Sequence, residues 1–396
     1  MSSNQREIQR RDKRAQKERK TKRIIWIILI VIIAILVVMK VFEVNVNSVK
    51  DRFTDEEGKF SISEGVENTN FPYYLDSSEN VTVRNINNKL GIMTPTTFTV
   101  LNSADAKVEY TFDHGYSNPV LVSSGIYTLI YDQGQSNYRL DTVSSSVYAE
   151  TMENSILCCD ITKNGTAAIA TTSTSKLCEV NVYNKSLSNI CHLEISEGYI
   201  IDIAINDGAT RLACAVVSSE GGNFINKVYV YDVNKEANIS VTELPQGSLA
   251  DLNYTSKSLF AVGDTYLGVI KGDKNYHDVY EQGQIVTQHY TYTPAGELVI
   301  AFGSYNNSTE NTIALVKPSG KVKSELSFDG MIKDISASSN MVSVLTGNEI
   351  NGIVLTSGEV KETHETDDSA KTICRIGSTV YVQRQSVIDK SGSYDS

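Results

Sequence analysis

The longest purely apolar stretch of the chain lies close to its N-terminus. Residues 24–39 form an uncharged run, IIWIILIVIIAILVVM, and two further apolar residues follow Lys40. At about 1.5 Å per residue, a helix over residues 24–42 would span roughly 28 Å, close to the ~30 Å hydrocarbon core of a bilayer. The run has no polar stripe, which argues against a buried helix in a soluble domain. The pattern therefore predicts a transmembrane helix over residues 24–42.

This helix is expected to stay in the mature protein as an anchor. Its anchor residues are Ile24, Trp26, Leu29, Ile33, Leu36 and Met39. Trp26 stands near one end, where an indole ring favours the membrane interface. A cleaved signal peptide is the alternative reading, but the segment after the run, KVFE, lacks a small-residue cleavage pattern, and no lipobox cysteine is present. We therefore expect an uncleaved signal-anchor.

From residue 71 to the C-terminus, short apolar runs alternate with tight polar turns, after an acidic linker over residues 43–70. One turn recurs between the first two runs of each unit, as in ITKNGTAAIATT and YTPAGELVIAFG. The turn markers are Asn88, Gly125, Gly165, Gly208, Lys257, Gly296, Asn340 and Gly377. They follow one another at intervals of roughly 37 to 49 residues, which is the range of repeat architectures.

A second series of turns repeats in phase with the first. It follows the third run of most units, as in VNVYNKSL, VYVYDVNKEA and LVKPSGKV. Asn, Asp, Gly and Ser suit the turns, while Val, Ile and Tyr suit the strands. A period of about 40–45 residues with four strands per unit is typical of a β-propeller. The pattern predicts an all-β propeller over residues 71–396, and a β-sandwich array is the alternative.

The turn markers predict eight blades, or seven if Asn88 or Lys257 is a false marker. The chain ends just after a third strand, Ser386–Ile388, so the last blade needs strands from elsewhere. We expect the N-terminal side to supply them, with Val81–Ile86 as the donor. Such a closure would pair both ends of the domain in one blade and remove exposed sheet edges.

Charge is distributed very unevenly along the chain. Residues 1–23 hold ten Lys and Arg against three acidic residues, a net charge of +7. Since the whole chain has a net charge of −11, everything after Arg23 has −18. The basic segment before the helix predicts a cytoplasmic N-terminus and an extracytoplasmic C-terminal domain at the plasma membrane. The acidic domain makes nucleic acid an unsuitable partner.

One stretch early in the repeat resembles a known family. It contains His114-Gly115-Tyr116 with Pro119, then Gly125 and the run Leu129–Gly134. These residues resemble an uncharacterised family of single-pass envelope proteins in Gram-positive anaerobic bacteria, with propellers of the quinoprotein-like and WD40-like superfamilies. The resemblance covers the anchor and nearly all of the repeat region. It implies a fold and a topology, but no catalytic residues.

The cysteines raise an enzymatic alternative. Cys158 and Cys159 are adjacent, and propeller alcohol dehydrogenases that use pyrroloquinoline quinone place a vicinal disulfide beside their cofactor. Those enzymes also carry repeated tryptophan motifs, whereas the only tryptophan here is Trp26. Cys178 and Cys191 flank a turn and are a candidate disulfide. No pair has C-x-x-C spacing, so we expect neither a metal site nor any cofactor.

The remaining polar motifs do not select an enzyme. The histidines, His114, His192, His277, His289 and His364, lie far apart, and no nucleophile-elbow or phosphate-loop motif is present. We expect His114 to stabilise a turn. The acidic run Glu362–Asp368 lacks calcium-loop spacing and is interpreted as a solvated loop between strands.

Three functions stay open on the sequence. The leading hypothesis is a non-enzymatic protein-binding or scaffold module of the cell envelope, whose acidic surface favours an envelope protein with a basic patch. The second is a transmembrane sensor with a ligand-binding propeller and a basic cytoplasmic segment that signals. The third is a propeller enzyme, quinoprotein-like or of another kind. Membrane lipid is the only other partner expected.

Overall fold

The computed structural model of the protein describes residues 70–255, 258–304 and 307–391. The predicted basic segment, the helix over residues 24–42 and almost all of the predicted linker lie outside these residues. Within the described ranges, no helix has the length and hydropathy needed to cross a bilayer. What the structure describes is built from β-strands and turns.

The described strands form eight antiparallel four-stranded sheets. We call them blades 1–8 in chain order. The first four are blade 1 with β2 (Thr82–Ile86), β3 (Lys89–Met93), β4 (Thr97–Asn102) and β5 (Val108–Asp113); blade 2 with β6 (Pro119–Ser124), β7 (Tyr127–Asp132), β8 (Asn137–Thr142) and β9 (Ser146–Thr151); blade 3 with β10 (Ile156–Ile161), β11 (Ala167–Thr172), β12 (Cys178–Tyr183) and β13 (Asn189–Ile195); and blade 4 with β14 (Tyr199–Ile205), β15 (Arg211–Glu220), β16 (Asn223–Asp232) and β17 (Ala237–Glu243).

The other four blades follow the same order of strands. They are blade 5 with β18 (Leu249–Tyr254), β19 (Ser258–Gly263), β20 (Leu267–Lys271) and β21 (Asn275–Tyr280); blade 6 with β22 (Val286–Tyr292), β23 (Leu298–Ser304), β24 (Asn307–Val316) and β25 (Val322–Asp329); blade 7 with β26 (Asp334–Ala337), β27 (Met341–Leu345), β28 (Glu349–Val354) and β29 (Val360–Glu365); and blade 8 with β30 (Ala370–Ile376), β31 (Thr379–Arg384), β32 (Val387–Lys390) and β1 (Tyr73–Tyr74). The prediction of an eight-bladed propeller is confirmed, and the seven-bladed alternative is wrong.

The first strand of each blade lies next to the central axis. First strands of neighbouring blades contact one another, including β30 and β2, which meet where the ring closes. The fourth strands lie at the rim and show the alternation of a half-exposed strand, as in β25, whose residues alternate between intermediate and exposed. The domain is therefore a closed ring around a central channel.

A separate hydrophobic core fills the space between each pair of neighbouring blades. Strand β15 shows why, because its successive side chains point to opposite faces of the sheet. Leu212 and Cys214 pack towards blade 3, whereas Ala213 and Ala215 pack towards blade 5. The second strands are buried on both faces, so most of them are continuous apolar runs rather than alternating ones. Strand β19, SLFAVG, is buried at every position.

The predicted turn markers lie between the first and second strands of the blades. Gly165 is one example: its φ of 81° favours glycine, and a Cβ there would come within 2.9 Å of the Tyr127 ring. The marker Lys257 falls outside the described residues, but the strands that flank it pair with each other. One turn of the second series was missed, the hairpin between β8 and β9, where Thr142 donates its N–H to Ser145.

The predicted donor of the closing strand was wrong. Val81–Ile86 contributes to the first strand of blade 1, β2, which pairs with β3. The strand that completes blade 8 is the two-residue β1, in which Tyr73 pairs with Ile388 and Tyr74 with Val387. Blade 8 also has its own first strand, β30, so the N-terminal side supplies one strand and not two. Closure by strands from both ends of the domain is confirmed.

Candidate functional site

The blades give the ring two different ends. One end carries the turns between first and second strands and between third and fourth strands, and we call it the lower face. The upper face carries the turns between second and third strands and the connections between blades. The chain enters the described domain at the lower face, where the N–H of Asn70 bonds to the carbonyl of Asp105.

Polar side chains line the central channel. Two cavities, of about 690 and 580 Å³, share Ser123, Ser124, Thr293 and Pro294 and together are lined by residues of all eight blades. The larger one includes Arg84, which is exposed in the middle of β2. The smaller one includes Asp160 and Lys163. The channel is thus a polar space with both signs of charge.

Aspartates of the first strands fasten neighbouring blades to each other. Asp160 accepts the N–H of Ile205 from blade 4 at 2.8 Å, and Asp202 accepts the N–H of Leu252 from blade 5 at 2.8 Å. Asp334 accepts the N–H of Ile373 from blade 8 at 2.9 Å. Each also accepts the N–H of its own following residue. These carboxylates hold the first strands in register around the axis.

Burial dominates the electrostatics of these acids. It raises the pKa of Asp160 to about 7, against the two backbone N–H donors that favour the carboxylate. The pKa of Asp251 rises to about 6 for the same reason, although the Tyr292 hydroxyl, 2.5 Å away, and the charge of Arg84 lower it. Burial and the charge of Asp251 together raise the pKa of Asp202 well above its ordinary value. Part of this cluster is therefore protonated near neutral pH.

These raised pKa values predict a protein that loses stability as the pH rises. Between pH 4 and 7 the folded protein holds a proton on Asp160 that the unfolded chain releases, so stability falls as the pH rises through about 7. Three pKa units correspond to at most about 4 kcal/mol, and partial access of channel water reduces this to about 2. Going from pH 5 to pH 8 crosses two of the three pH units in which this loss occurs, so the melting temperature should fall by about 2 °C more in the parent than in Asp160→Asn.

The control is Asp207→Asn, which changes an exposed carboxyl in the adjoining turn of blade 4. It should retain the pH dependence of the parent protein in the same calorimetric scans. Equal pH dependence in Asp160→Asn and the parent would show that Asp160 is ionised throughout this range.

The predicted disulfide does not form in this structure. Cys178 and Cys191 do lie on neighbouring strands, but Cys178 is opposite Ile195 and Cys191 is opposite Val182. An offset of four residues along a strand separates them by about 13 Å, too far for a disulfide. All six cysteines are free and buried. They behave as small core residues.

The adjacent pair Cys158 and Cys159 is also unlinked. Both lie in the extended strand β10, so their side chains point to opposite faces. Cys158 packs in the core between blades 3 and 4, and Cys159 in the core between blades 2 and 3. Burial raises the pKa of both thiols well above the usual range, which keeps them protonated.

The histidines remain apart, and His114 bonds to a neighbouring turn. Its Nε2 lies 3.1 Å from the carbonyl oxygen of Thr94, which ties the connection between β5 and β6 to the turn before β4. Burial lowers the pKa of His114. Among the described residues, no three His, Cys, Asp or Glu side chains are grouped so that they could hold a metal ion.

The acidic run Glu362–Asp368 is only partly a loop. Its first residues belong to strand β29, and Glu362 faces inward to accept a 2.5 Å hydrogen bond from Arg375 of blade 8. Arg375 is only 2% exposed and also donates to Ser343 at 2.9 Å. The interpretation of the whole run as a solvated loop was therefore wrong for Glu362, whose role is to pair a buried cation.

Exposed charges are segregated between the two faces. The exposed acidic residues of the upper face are Asp76, Glu79, Asp113, Glu150, Glu153, Glu194, Glu197, Glu220, Glu243, Glu281, Glu310, Asp329, Glu365, Asp367 and Asp368, against the exposed cations Lys176 and Lys371. The exposed cations of the lower face are Lys107, Lys163, Lys185, Lys235, Lys274, Lys317, Lys321, Lys323 and Lys361, against Asp207, Glu236 and Glu359. Among the described residues, the upper face is thus strongly acidic.

A groove on this upper face lies between blades 4 and 5. Strands β15 and β16 are ten residues long, so their hairpin protrudes beyond blade 5, whose corresponding strands have six and five. The groove encloses about 530 Å³ and is lined by Ile201, Phe224 and Leu249 among others. Phe224 at the hairpin tip is 77% exposed. The signal for this hairpin in the sequence is the pair of long runs on either side of Gly221-Gly222.

Comparisons with known proteins place the fold and leave the activity open. The profile of a family of unknown function, DUF5711, matches residues 68–390. No curated protein matches the sequence. Three similar solved structures are the computationally designed Ika8 protein (TM-score 0.60, 10% identity, covering 80% of this chain and 98% of that one), the C-terminal WD40 domain of Sif2 (0.57, 11%, 81% and 98%) and a eukaryotic initiation factor (0.52, 15%, 77% and 80%). At these identities the likeness shows the fold alone.

Proposed function

This chain belongs to DUF5711, a family of unknown function, and we propose that it is a membrane-anchored, extracytoplasmic, non-enzymatic protein-binding module of the cell envelope. The observation that carries the proposal is the charge segregation of a closed, rigid ring. A propeller presents its loops on two flat ends, and here one end is acidic and carries a protruding apolar side chain. Surfaces of this kind suit protein partners with complementary charge.

The anchoring part of the proposal rests on the apolar run over residues 24–42 and the cations before it. A tag fused after Ser396 should be reached by antibody on intact cells from which the wall has been removed. A tag before Met1 should be reached only after the membrane is permeabilised. Equal exposure of the two tags, or recovery of the full-length chain in the soluble fraction, would refute the anchored topology.

The binding part of the proposal is tested by crosslinking in cells that produce the full-length protein. A membrane-impermeant crosslinker should join it to an envelope protein with a basic surface. Recovery of no envelope protein above the background of a strain lacking the chain would count against a scaffold role. Crosslinks confined to acidic proteins would contradict the charge argument.

A transmembrane sensor is the second candidate, and the channel favours it. Its cavities are large enough for a small polar ligand, and their lining includes the cation Arg84 and the carboxyl group of Asp160. Deleting residues 2–20 while keeping enough cations for insertion should abolish any signalling response. An unchanged phenotype in that deletion, and in Arg84→Ala, would dismiss the sensor.

A further inference from the structure

The groove between blades 4 and 5 has the features of a docking site. Phe224 and Ile201, which both line it, are 77% and 40% exposed. Large apolar side chains that cluster at an exposed groove mark interaction surfaces more often than scattered ones do. Among the described residues, no segment fills the groove.

The floor of the groove is rigid. Gly247 lies there with a φ of 137°, and a Cβ at this position would come within 2.5 Å of an Asp264 carboxylate oxygen. The Asn226 side chain donates to the Gly247 carbonyl at 2.6 Å, and the N–H of Ser248 donates to Asp264 at 3.1 Å. A floor held in this way needs little ordering when a partner binds, which favours affinity.

The rim of the groove determines which partner fits. Exposed Glu220 is paired in register with Asn223, which lines the groove, and exposed Glu243 comes three residues before Gln246, which also lines it. No exposed Lys or Arg of the described residues lies on the upper face of these two blades. An acidic rim around apolar contacts repels anionic polymers and attracts cationic segments.

We propose that this groove binds a basic polypeptide segment that carries an aromatic or large aliphatic anchor residue, with the anchor against Phe224 and Ile201 and its Lys or Arg side chains along the glutamate rim. This inference rests on the proposed function, protein binding, and assigns that binding to one surface of the propeller. The apolar contacts hold the segment, while the rim accelerates and orients its association.

The test measures peptide binding to the full-length protein in lipid nanodiscs. The probe is a fluorescein-labelled peptide with one tryptophan flanked on each side by three lysines, followed by fluorescence anisotropy. Phe224→Ala should weaken binding about tenfold, because a central anchor contact is lost. The double variant Glu220→Gln/Glu243→Gln should weaken it several-fold and reduce its salt dependence. The matched control, Glu150→Gln/Glu153→Gln, removes the same charge from blades 2 and 3 and should bind as the parent does.

Three outcomes would overturn the assignment. They are equal affinity for a peptide with alanine in place of tryptophan, equal affinity for a glutamate version of the peptide, and equal weakening by the control and the groove variants. The first would show that binding needs no anchor residue, and the second that it needs no positive charge on the peptide. The third would place the binding site elsewhere on the upper face.

Crosslinking in cells separates this inference from the proposed function. A photo-reactive benzoylphenylalanine in place of Phe224 should capture a basic envelope protein, and Glu220→Gln/Glu243→Gln should reduce that capture. If Phe224→Ala leaves the chemical crosslinks of the parent unchanged, the scaffold role stands and the groove assignment fails. If the parent itself captures nothing, the proposed function fails.

Discussion

Replacing residues 70–75 with a Gly/Ser linker of equal length should lower the stability of the propeller by about 5 kcal/mol. The change removes β1, the strand that completes blade 8, and leaves β32 as an open edge. It also removes Phe71, Tyr73 and Leu75 from the core between blades 8 and 1. Each partly buried side chain of this size contributes about 1–2 kcal/mol, and the lost strand pairing adds to this sum.

The measurement is differential scanning calorimetry of the full-length protein, with size-exclusion chromatography beside it. For a domain of this length, about 5 kcal/mol corresponds to a fall of roughly 7 °C in melting temperature. The open edge of β32 should also produce dimers or larger species through edge-to-edge pairing. The control Tyr74→Ser keeps the strand and changes a side chain that is 73% exposed, so it should melt within 1 °C of the parent.

A linker variant that stays monomeric and melts within about 2 °C of the parent would contradict closure by β1. Such a result would mean that contacts between the first strands β30 and β2 hold the ring without the outer strand.

The number of blades could be predicted from the sequence because turns and strands demand different residues. Each first turn needs residues that tolerate a positive φ or a tight bend, such as Gly165 and Gly296, and the strands around it need apolar ones. The closing strand could not be predicted in the same way. Val81–Ile86 has the better strand pattern, whereas β1 has two residues and depends on pairing with β32, at the far end of the domain.

The channel and the groove were harder to predict, because residues far apart in sequence form them. Asp160, Asp202 and Asp251 come close to one another only because each lies on the first strand of its own blade. The hairpin missed between β8 and β9 has Val-Ser-Ser-Ser in place of Gly, Asn or Asp, so its turn signal is weak. The spacing of turns in the sequence reveals the length of the repeat. It does not reveal which side chains of neighbouring blades contact each other.

Arg375 illustrates the same limit, since nothing in its neighbourhood in sequence reveals its partner. It is buried between blades 7 and 8, where one guanidinium nitrogen donates to Glu362 at 2.5 Å and the other to Ser343 at 2.9 Å. Removing one partner of a buried ion pair leaves the other desolvated and uncompensated, which typically costs about 3–5 kcal/mol. Arg375→Met keeps most of the volume but loses the charge and both of these hydrogen bonds. We expect it to lower the melting temperature by about 5 °C.

The ion pair can be isolated by a double-mutant cycle with Glu362→Gln, measured by calorimetry on the full-length protein. Each single variant should strongly lower the free energy of unfolding. The loss in the double variant should be smaller than the sum of the two single losses by at least about 1 kcal/mol, because the double variant leaves no unpaired charge. The matched control is Arg211→Met. Arg211 pairs with Asp232 and Asp273 at the lower face with its side chain 32% exposed, so its loss should cost about 1 kcal/mol or less. If Arg375→Met and Arg211→Met destabilise equally, the Arg375 pair is solvated and does not hold blades 7 and 8 together.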